Sequence, residues 1–329
     1  MSTLAPTMEG FFTERLIGQR RASPNTVASY RDTFRLLVAF AQQQTGQAPS
    51  VLKIEDLDAK LIGAFLEHLE VDRHNSVRTR NNRLAAIRSL FAYAALRHPD
   101  HAELIQRVLA IPAKRVDRQL VSFLTQDEVN ALLAAPDRRT WVGRRDHALL
   151  VVAIQTGLRV SEVAALACKD VDLNTGAHVR CHGKGRKQRI TPLTGQTCRV
   201  LHSWLAEHQG GPDRPLYPSR RGGHLSRDAI ALLVARHARI AERLCPSLTT
   251  KTVTPHVLRH TCAMKLLTAG VDTSVIALWL GHERVETTQI YLHADLGIKE
   301  RALARTMPPD TRAGRYRPPD KLLAFLEGL

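Results

Sequence analysis

One stretch of the sequence, from Thr254 to Tyr291, constrains the fold more than any other part of the chain. Pro255 stands where proline is tolerated in the first turn of a helix, and the apolar series after it ends at Gly270, so the first half predicts one helix. The second half predicts a short helix that begins after the N-cap residue Asp272 and ends at the glycine of Leu-Gly-His. Two short, rigid helices therefore carry the polar side chains of this stretch.

Four of these polar side chains suit chemistry on a phosphate group. His256 and Arg259 share one face of the first predicted helix because they are three positions apart. His282 follows the second helix, and Tyr291 comes shortly after it. Arginine presents a planar fork that matches two phosphate oxygens, histidine exchanges protons near neutral pH, and tyrosine carries a nucleophilic oxygen. The His-x-x-x-His spacing also occurs in zinc helices, but the metalloprotease form needs Glu where this chain has Val257, so no metal site is expected.

Two segments of the chain carry a resemblance to a known family. His-x-x-Arg-His, then Leu-Gly-His, then Thr-Thr-x-x-Tyr resembles the C-terminal signature of the tyrosine recombinases, which include phage-integrase-like and Xer-like enzymes. The segment Thr156-Gly-Leu-Arg159-Val-Ser-Glu162 resembles the first arginine box of the same family. Alone, this Arg/Glu pair would be interpreted as a surface pair, which is common at this helical spacing. With both segments present, the resemblance implies that Arg159 clamps the phosphate and that Glu162 supports it.

The chain carries a large positive charge. The 47 Lys and Arg residues against 31 Asp and Glu residues give a formal net charge of +16, as expected of a protein that lies along a phosphate backbone. An anionic membrane surface is the alternative, but no basic amphipathic tail or lipidation motif supports it. There is no signal-peptide pattern and no apolar run of membrane-spanning length, so we expect a cytoplasmic, nucleoid-associated protein.

Composition and periodicity predict two domains. We expect an N-terminal helical domain over residues 1–112, a basic linker over 113–121, a catalytic domain over 122–306 and a C-terminal extension over 307–329. Short strand patterns between 171 and 192 predict a mainly α catalytic domain with a small antiparallel β-sheet, an α+β arrangement. The resemblance implies that the first domain is an all-α, SAM-like core-binding domain and that the two domains form a C-shaped clamp on DNA.

Basic residues outside these segments are candidates for DNA contacts. A helix predicted from Ser76 begins with basic and amide side chains and continues with apolar ones, so one end can pack while the other faces DNA. A second basic cluster lies on a predicted hairpin whose tip has glycines on both sides of Lys184. The candidate DNA contacts are Arg78, Arg80, Arg83, Arg186, Lys187 and Arg189. A solvated charged surface is the alternative interpretation for each of them.

The resemblance implies a mechanism as well as a fold. The catalytic residues it implies are Arg159, Lys184, His256, Arg259, His282 and Tyr291. Tyr291 would attack the scissile phosphodiester and form a 3′-phosphotyrosyl link, while the two arginines neutralise the non-bridging oxygens. Lys184 would protonate the leaving oxygen, His256 would assist proton transfer at the nucleophile, and His282 would donate a hydrogen bond to the phosphate. No nucleotide cofactor is expected, because the phosphotyrosine conserves the bond energy, and no metal is expected, because two arginines can do what a metal does elsewhere.

The implied function is site-specific recombination through a Holliday junction. The expected partners are double-stranded DNA and three further copies of the chain in a homotetramer on synapsed DNA, and an accessory recombinase or a directionality factor is compatible with the sequence. The proline-rich C-terminal extension favours the integrase of a mobile element, a transposon or phage, whereas the box motifs resemble Xer-type resolvases of chromosome or plasmid dimers. A type IB topoisomerase and a non-catalytic DNA-binding regulator are the weaker alternatives, and the regulator would have no reason to retain Tyr291.

Overall fold

The computed structural model describes residues 3–116, 121–182, 188–207, 211–281, 286–289 and residue 291. The chain divides into two compact units, Met1–Arg118 and Gln119–Leu329. Within the described ranges, no helix is long and apolar enough to cross a membrane. Each unit has a hydrophobic core of its own.

The first unit is helical throughout its regular structure. Its elements are α1 (Leu4–Gly10), a π-helical segment (Phe11–Gln19), α2 (Pro24–Thr45), a 3-10 turn (Ile54–Asp56), α3 (Ala59–Val71), α4 (Val77–Ala94), a second 3-10 turn (Pro99–His101) and α5 (Ala102–Ala110). Ser23, Asp58 and Ser76 begin α2, α3 and α4, because each side chain accepts a hydrogen bond from a backbone N–H of the first turn. The cap at Ser76 confirms the helix start predicted there.

Aromatic side chains form the centre of the first core. The ring of Phe11 lies edge-on to the rings of Phe34 and Tyr93, with centroids 5.9 Å and 5.6 Å away. Such edge-to-face pairs add stability beyond the apolar area that they bury. Because Phe34 belongs to α2 and Tyr93 to the last turn of α4, this cluster fixes the C-terminal end of α4 against the core.

The second unit contains the remaining helices and the sheet. Its elements are α6 (Gln126–Ala134), α7 (Trp141–Thr156), α8 (Val160–Ala165), β1 (Val171–Asp172), β2 (His178–His182), β3 (Gln188–Pro192), α9 (Gly195–Glu207), α10 (Arg227–Ala241), α11 (Pro255–Thr268), α12 (Thr273–Leu280) and α13 (Glu286–Gln289). The strands pair antiparallel in the order β1-β2-β3, with Val171 opposite Val179 and Cys181 opposite Arg189. The mainly α fold with a small antiparallel sheet is therefore confirmed.

The helix α7 forms the centre of the second core and lies against α9 and α11. Asp146, on the same helix, is fully buried and accepts hydrogen bonds from Arg145 and Arg236 and lies 2.9 Å from Nε2 of His237. Burial acts to raise the pKa of the Asp146 carboxyl, but the hydrogen bonds of His237 and Arg145 outweigh it and lower that pKa. A carboxylate with these partners ties α7 to α10.

The two helices predicted after Thr254 are both present. Thr254 caps α11 by accepting from the N–H of Val257, and Pro255 occupies the first turn. Asp272 caps α12, which ends at Gly281 with a φ of +66°. Because α12 ends at this local signal, the carbonyl groups of Leu280 and Gly281 have fixed positions, and both accept hydrogen bonds from arginines.

Candidate active site

Arg159 and Arg259 meet at the C-terminal ends of two helices. Arg259 donates from Nη1 to the carbonyl oxygen of Gly157, at 2.6 Å, and from Nη2 to that of Leu280, at 2.7 Å. Arg159 donates from Nη2 to the carbonyl oxygen of Gly281, at 2.8 Å. The last carbonyls of a helix lack intrahelical partners and carry the negative end of its dipole, so the ends of α7 and α12 stabilise the two cations.

The two arginines form a positive site that is partly shielded from water. Arg259 is 3% exposed, and its pKa is lowered to about 10, first by burial and then by the charge of Arg159. It still carries its proton at neutral pH. Two guanidinium groups in such surroundings favour an anion between or beside them, because an anion would relieve both their repulsion and their lost hydration.

Glu162 is the buried acid of the site. Its side chain is 2% exposed and accepts hydrogen bonds from both Nη atoms of Arg189, at 2.9 and 2.7 Å, and from Nη1 of Arg159, at 3.0 Å. The backbone N–H of Arg159 donates to it as well, at 2.8 Å. Burial acts to raise the pKa of the Glu162 carboxyl, but the hydrogen bonds of Arg189 and Arg159 outweigh it and lower that pKa. Glu162 is therefore a carboxylate that orients the N-terminus of α8 and its arginine.

The position of Arg189 differs from the one expected from the sequence. A plain phosphate contact needs an exposed guanidinium, but the side chain of Arg189 is 12% exposed and forms a bidentate pair with Glu162. A Cβ atom at Gly281 would lie 2.8 Å from Nη1 of Arg189, so this guanidinium also packs against the end of α12. Arg189 links β3 to the arginine site from within.

We expect Glu162→Gln to destabilise the protein by about 3 kcal/mol, because it leaves two arginines without their buried counter-charge. Since the pKa of Glu162 is lower in the folded chain than its usual value of 4.5, its contribution to stability is present above that value and is lost as the pH falls through the folded pKa. Urea unfolding from pH 7 to pH 3 should therefore show the difference between wild type and variant narrowing in acid.

The double variant Glu162→Gln/Arg189→Gln supplies the control. Arg189→Gln should cost much less stability in the Glu162→Gln background than in the wild type, because the pair is then already broken. A phosphate contact would instead lower the slope of log affinity against log salt by about one on removal of Arg189. Additive stability effects together with such a change in slope would contradict the assignment of Arg189 to Glu162.

Gly157 ends α7 beside both arginines. Its φ is +63°, and an added Cβ would lie 2.7 Å from Cδ2 of Leu280 and 3.1 Å from Sγ of Cys262. The position thus excludes a side chain both by backbone conformation and by space. The same residue supplies a carbonyl oxygen to Arg259.

Gly157→Ala is expected to lower the free energy of unfolding by about 3 kcal/mol, since left-handed strain and overpacking at Leu280 add together. Gly176→Ala is the matched control, because Gly176 has a φ of +79° and nothing within 4 Å of an added Cβ. Gly176→Ala should lower the free energy of unfolding only by the cost of the left-handed backbone conformation, about 1 kcal/mol. Equal losses in the two variants by chemical denaturation would show that the packing at Gly157 contributes nothing.

Tyr291 lies inside the second unit rather than on its surface. Its side chain is 2% exposed and packs with the apolar cluster of α11 and α12 that includes Cys262, Met264 and Leu280. Burial raises the pKa of its hydroxyl to about 12. The oxygen lies 2.9 Å from Nδ1 of His260. The phenol is thus protonated at neutral pH and has a defined partner.

His260 was not among the residues predicted from the sequence. Its pKa is lowered to about 4 by burial first, then by His256 and Arg259, so the imidazole is neutral at pH 7. The rings of His256 and His260 lie edge to face with centroids 4.7 Å apart. The four-residue spacing of the two histidines, which places them on one helix face, was the signal available in the sequence.

The predicted DNA contacts on α4 fall into different environments. Arg78 is exposed, as a backbone contact requires. Arg80 is 7% exposed, its Nε lies 3.8 Å from Oε2 of Glu70, and its Nη1 donates to the carbonyl of Pro112. Its guanidinium therefore faces inward, which differs from the DNA-facing position expected from the sequence. Arg83 is half-buried, and burial, followed by the charge of Arg73, lowers its pKa.

Four predicted site residues lie outside the described part of the chain. They are Lys184, Arg186, Lys187 and His282. Of the six predicted catalytic residues, the structure describes Arg159, His256, Arg259 and Tyr291 and places them all in or beside α8, α11 and α13. These four residues lie close together, because the charges of Arg159 and Tyr291 act on Arg259, and the ring of His260 contacts those of His256 and Tyr291.

Two arginines, a buried acid and a tyrosine around one place are groups that suit the transfer of a phosphoryl group through a tyrosine. Residues 122–296 match the Phage integrase family, and residues 11–98 match the N-terminal SAM-like domain of phage integrases. The chain therefore belongs to the phage integrase family of tyrosine recombinases, which cleave and rejoin DNA at specific sites.

Named relatives resemble the chain along most of its length. The protein y4rC of Sinorhizobium fredii, whose name assigns it to the integrases or recombinases, is 56% identical over 328 residues, which is 100% of this chain and 99% of y4rC. The tyrosine recombinase XerC of Pelobacter propionicus is 34% identical over 89% of this chain and 93% of its own. The Tn1549 transposon integrase, solved with a circular intermediate DNA, has the same fold with a TM-score of 0.68, at 18% identity over 93% of this chain and 100% of that one.

Proposed function

We propose that the chain is the site-specific recombinase of a mobile element, a transposon or phage. The observation that carries the chemistry is the pair Arg159 and Arg259, fixed by helix-end carbonyls on the scaffold that also holds Tyr291. The similarity to y4rC, whose name includes the word integrase, supports the mobile-element role. The similarity to XerC supports the second candidate, a resolvase of chromosome or plasmid dimers.

In the proposed first step, Tyr291 attacks the scissile phosphorus and a 3′-phosphotyrosyl bond forms as the bond to the 5′-oxygen breaks. Arg159 and Arg259 neutralise the charge on the non-bridging oxygens through the N–H groups not already donated to carbonyls or to Glu162. We assign Lys184 as the donor of a proton to the leaving 5′-oxygen and His282 as a hydrogen-bond donor to the phosphate. His256 assists proton transfer on the side of the nucleophile.

In the second step, the 5′-hydroxyl of the partner duplex attacks the phosphotyrosine, and two rounds of exchange pass through a Holliday junction. This requires a homotetramer on two synapsed duplexes in the cytoplasm, at the nucleoid, with or without an accessory recombinase or directionality factor. We assign contacts with the phosphate backbone of DNA to five basic residues, Arg78, Arg80, Arg83, Arg186 and Lys187. The assignment of Arg80 requires its guanidinium to leave Pro112 when DNA binds.

The test is covalent trapping on nicked duplexes. Purified protein is mixed with two sets of DNA, one carrying the ends of the element that encodes the chain and one carrying the dimer-resolution site of the host chromosome. A denaturation-resistant adduct whose DNA-linked peptide contains Tyr291, found by mass spectrometry, is the expected result on the first set. An adduct on the second set alone would favour the resolvase, and tight binding without an adduct on either set would contradict a recombinase.

A further inference from the structure

The hydroxyl of Tyr291 has a specific polar neighbour in the folded chain. Its oxygen and Nδ1 of His260 are 2.9 Å apart, and the two rings lie edge to face with centroids 5.4 Å apart. This is the distance of a direct hydrogen bond, and it joins a reacting atom of the proposed chemistry to a titratable group. The contact connects α11 to Tyr291, which lies two positions after the end of α13.

The surroundings of His260 keep its imidazole neutral. Burial is the main cause of its low pKa, and the titratable groups that face it are His256 and Arg259 on its own helix and Tyr291 from the neighbouring segment. No carboxylate among the described residues acts on it strongly enough to hold it as imidazolium. At neutral pH the ring therefore has a lone pair on one nitrogen, and with the ring proton on Nε2 that lone pair is on Nδ1, towards the phenol.

We propose that His260 is the group that takes the proton of the Tyr291 hydroxyl when the nucleophile attacks, an inference that rests on the proposed function. The O–H bond of Tyr291 breaks as its oxygen forms the new bond to phosphorus, and Nδ1 of His260 gains the proton. The bond between phosphorus and the 5′-oxygen breaks, and that oxygen takes a proton from the proposed acid Lys184. In the second step Lys184, now neutral, takes the proton of the attacking 5′-hydroxyl, and the imidazolium of His260 returns its proton to the phenolate of Tyr291 as it leaves.

The geometry favours His260 over His256 for this role. Nδ1 of His260 is within hydrogen-bond distance of the phenol oxygen, whereas the described position of His256 is beside the ring of His260, edge to face. His256 can stabilise the charge that develops on His260 or accept a proton from it, but the ring of His260 is the one that contacts the phenol. The arriving phosphate also supplies negative charge, which raises the pKa of a neighbouring imidazole and makes proton transfer to it easier than in the free protein.

The distinguishing variant is His260→Asn. An Asn side chain places its amide near the position of Nδ1, so it retains a hydrogen-bond acceptor for the phenol but cannot take up a proton. His147→Asn is the matched control, because His147 is a half-buried histidine on α7 whose Nδ1 lies 2.9 Å from the carbonyl of Leu133 and whose pKa burial also lowers. Tyr291→Phe reports the background without a nucleophile.

The experiment measures single-turnover adduct formation from pH 6 to pH 10 on a nicked duplex. It uses two versions of that duplex, one with the natural 5′-oxygen at the scissile bond and one with sulfur in its place. A thiolate leaves without a proton, so the sulfur substrate rescues defects of the leaving-group acid and leaves defects of the nucleophile unchanged. At neutral pH we expect His260→Asn to form adduct about a hundredfold more slowly on both substrates, with DNA affinity unchanged. Its rate should rise about tenfold per pH unit across this range, because the ionised fraction of a hydroxyl with a pKa of about 12 rises in that proportion.

Several results would overturn the inference. They are an adduct rate within about threefold of the wild type at every pH, a defect that the sulfur substrate removes, or the same pH profile as His147→Asn. If His260→Asn does not fold, His260→Ala is tested with added imidazole, where restored adduct formation supports the inference and no restoration contradicts it. Failure of the wild type to form any adduct would instead contradict the proposed function, so the two hypotheses fail separately.

Discussion

Tyr291→Phe is expected to abolish the covalent protein–DNA adduct and leave DNA affinity unchanged. The substitution removes one oxygen, the nucleophile of the proposed reaction, and keeps the ring in its cluster with Cys262 and Met264. Affinity comes mainly from neutralised phosphates, to which a phenol contributes little. The free energy of unfolding should fall by only about 1 kcal/mol, the contribution of the hydrogen bond with His260.

Tyr217→Phe is the matched control for this variant. Tyr217 is also a buried tyrosine of the second unit, 3% exposed, and its hydroxyl donates to the carbonyl of Ala148. Tyr217→Phe should therefore have a similar small effect on thermal unfolding and retain full adduct formation. The assay is a denaturing gel beside a binding titration on the same duplex. Residual adduct from Tyr291→Phe would indicate a different nucleophile and contradict the assignment.

Arg259→Ala is expected to slow adduct formation by at least about a hundredfold, because one preorganised donor to a developing oxyanion commonly contributes that much. Arg259→Lys should be nearly as slow, since an ammonium group lacks the planar fork that reaches the carbonyls of Gly157 and Leu280 together. The measurement is the single-turnover rate at saturating protein, so that weaker binding does not enter.

Arg144→Ala provides the comparison for Arg259→Ala. Arg144 is also an arginine bonded to two backbone carbonyls, those of Arg138 and Arg139, and it pairs with Glu207 away from the site. Its replacement should leave the single-turnover rate at the wild-type value. A loss of similar size in both variants would mean that the effect of Arg259→Ala reflects general damage to the fold rather than lost stabilisation of the phosphate.

The local parts of this architecture could be predicted, and the long-range contacts could not. Thr254, Asp272 and Gly281 are capping signals that act within one turn, so the bounds of α11 and α12 followed from neighbouring residues. The bond from Arg159 to the carbonyl of Gly281 joins parts of the chain far apart in sequence. Every residue has a backbone carbonyl, so the sequence does not indicate which of these carbonyls an arginine will bond.

The same limit explains the arginines of α4 and β3. A run of basic residues predicts a basic surface, but whether one guanidinium turns inward depends on acids and carbonyls supplied by other elements, as Glu70 does for Arg80 and Glu162 for Arg189. The structure brings Arg159 and Arg259 together, as the family resemblance implied. The catalytic and DNA-binding roles of all the site residues stay predictions, as do the domain bounds.

The carbonyl groups that bind the two arginines determine which substitutions the site tolerates during evolution. Those acceptors belong to the main chain, so no replacement of a neighbouring side chain deletes them, and much of the surrounding sequence is free to drift while the arginines keep their places. The sensitive positions are instead Gly157 and Gly281, whose backbone angles aim the carbonyls. In a descendant that keeps the fold but no longer cleaves DNA, we therefore expect replacements at the two arginines or the tyrosine. In a descendant that has lost both the fold and cleavage, we expect replacements at the two glycines.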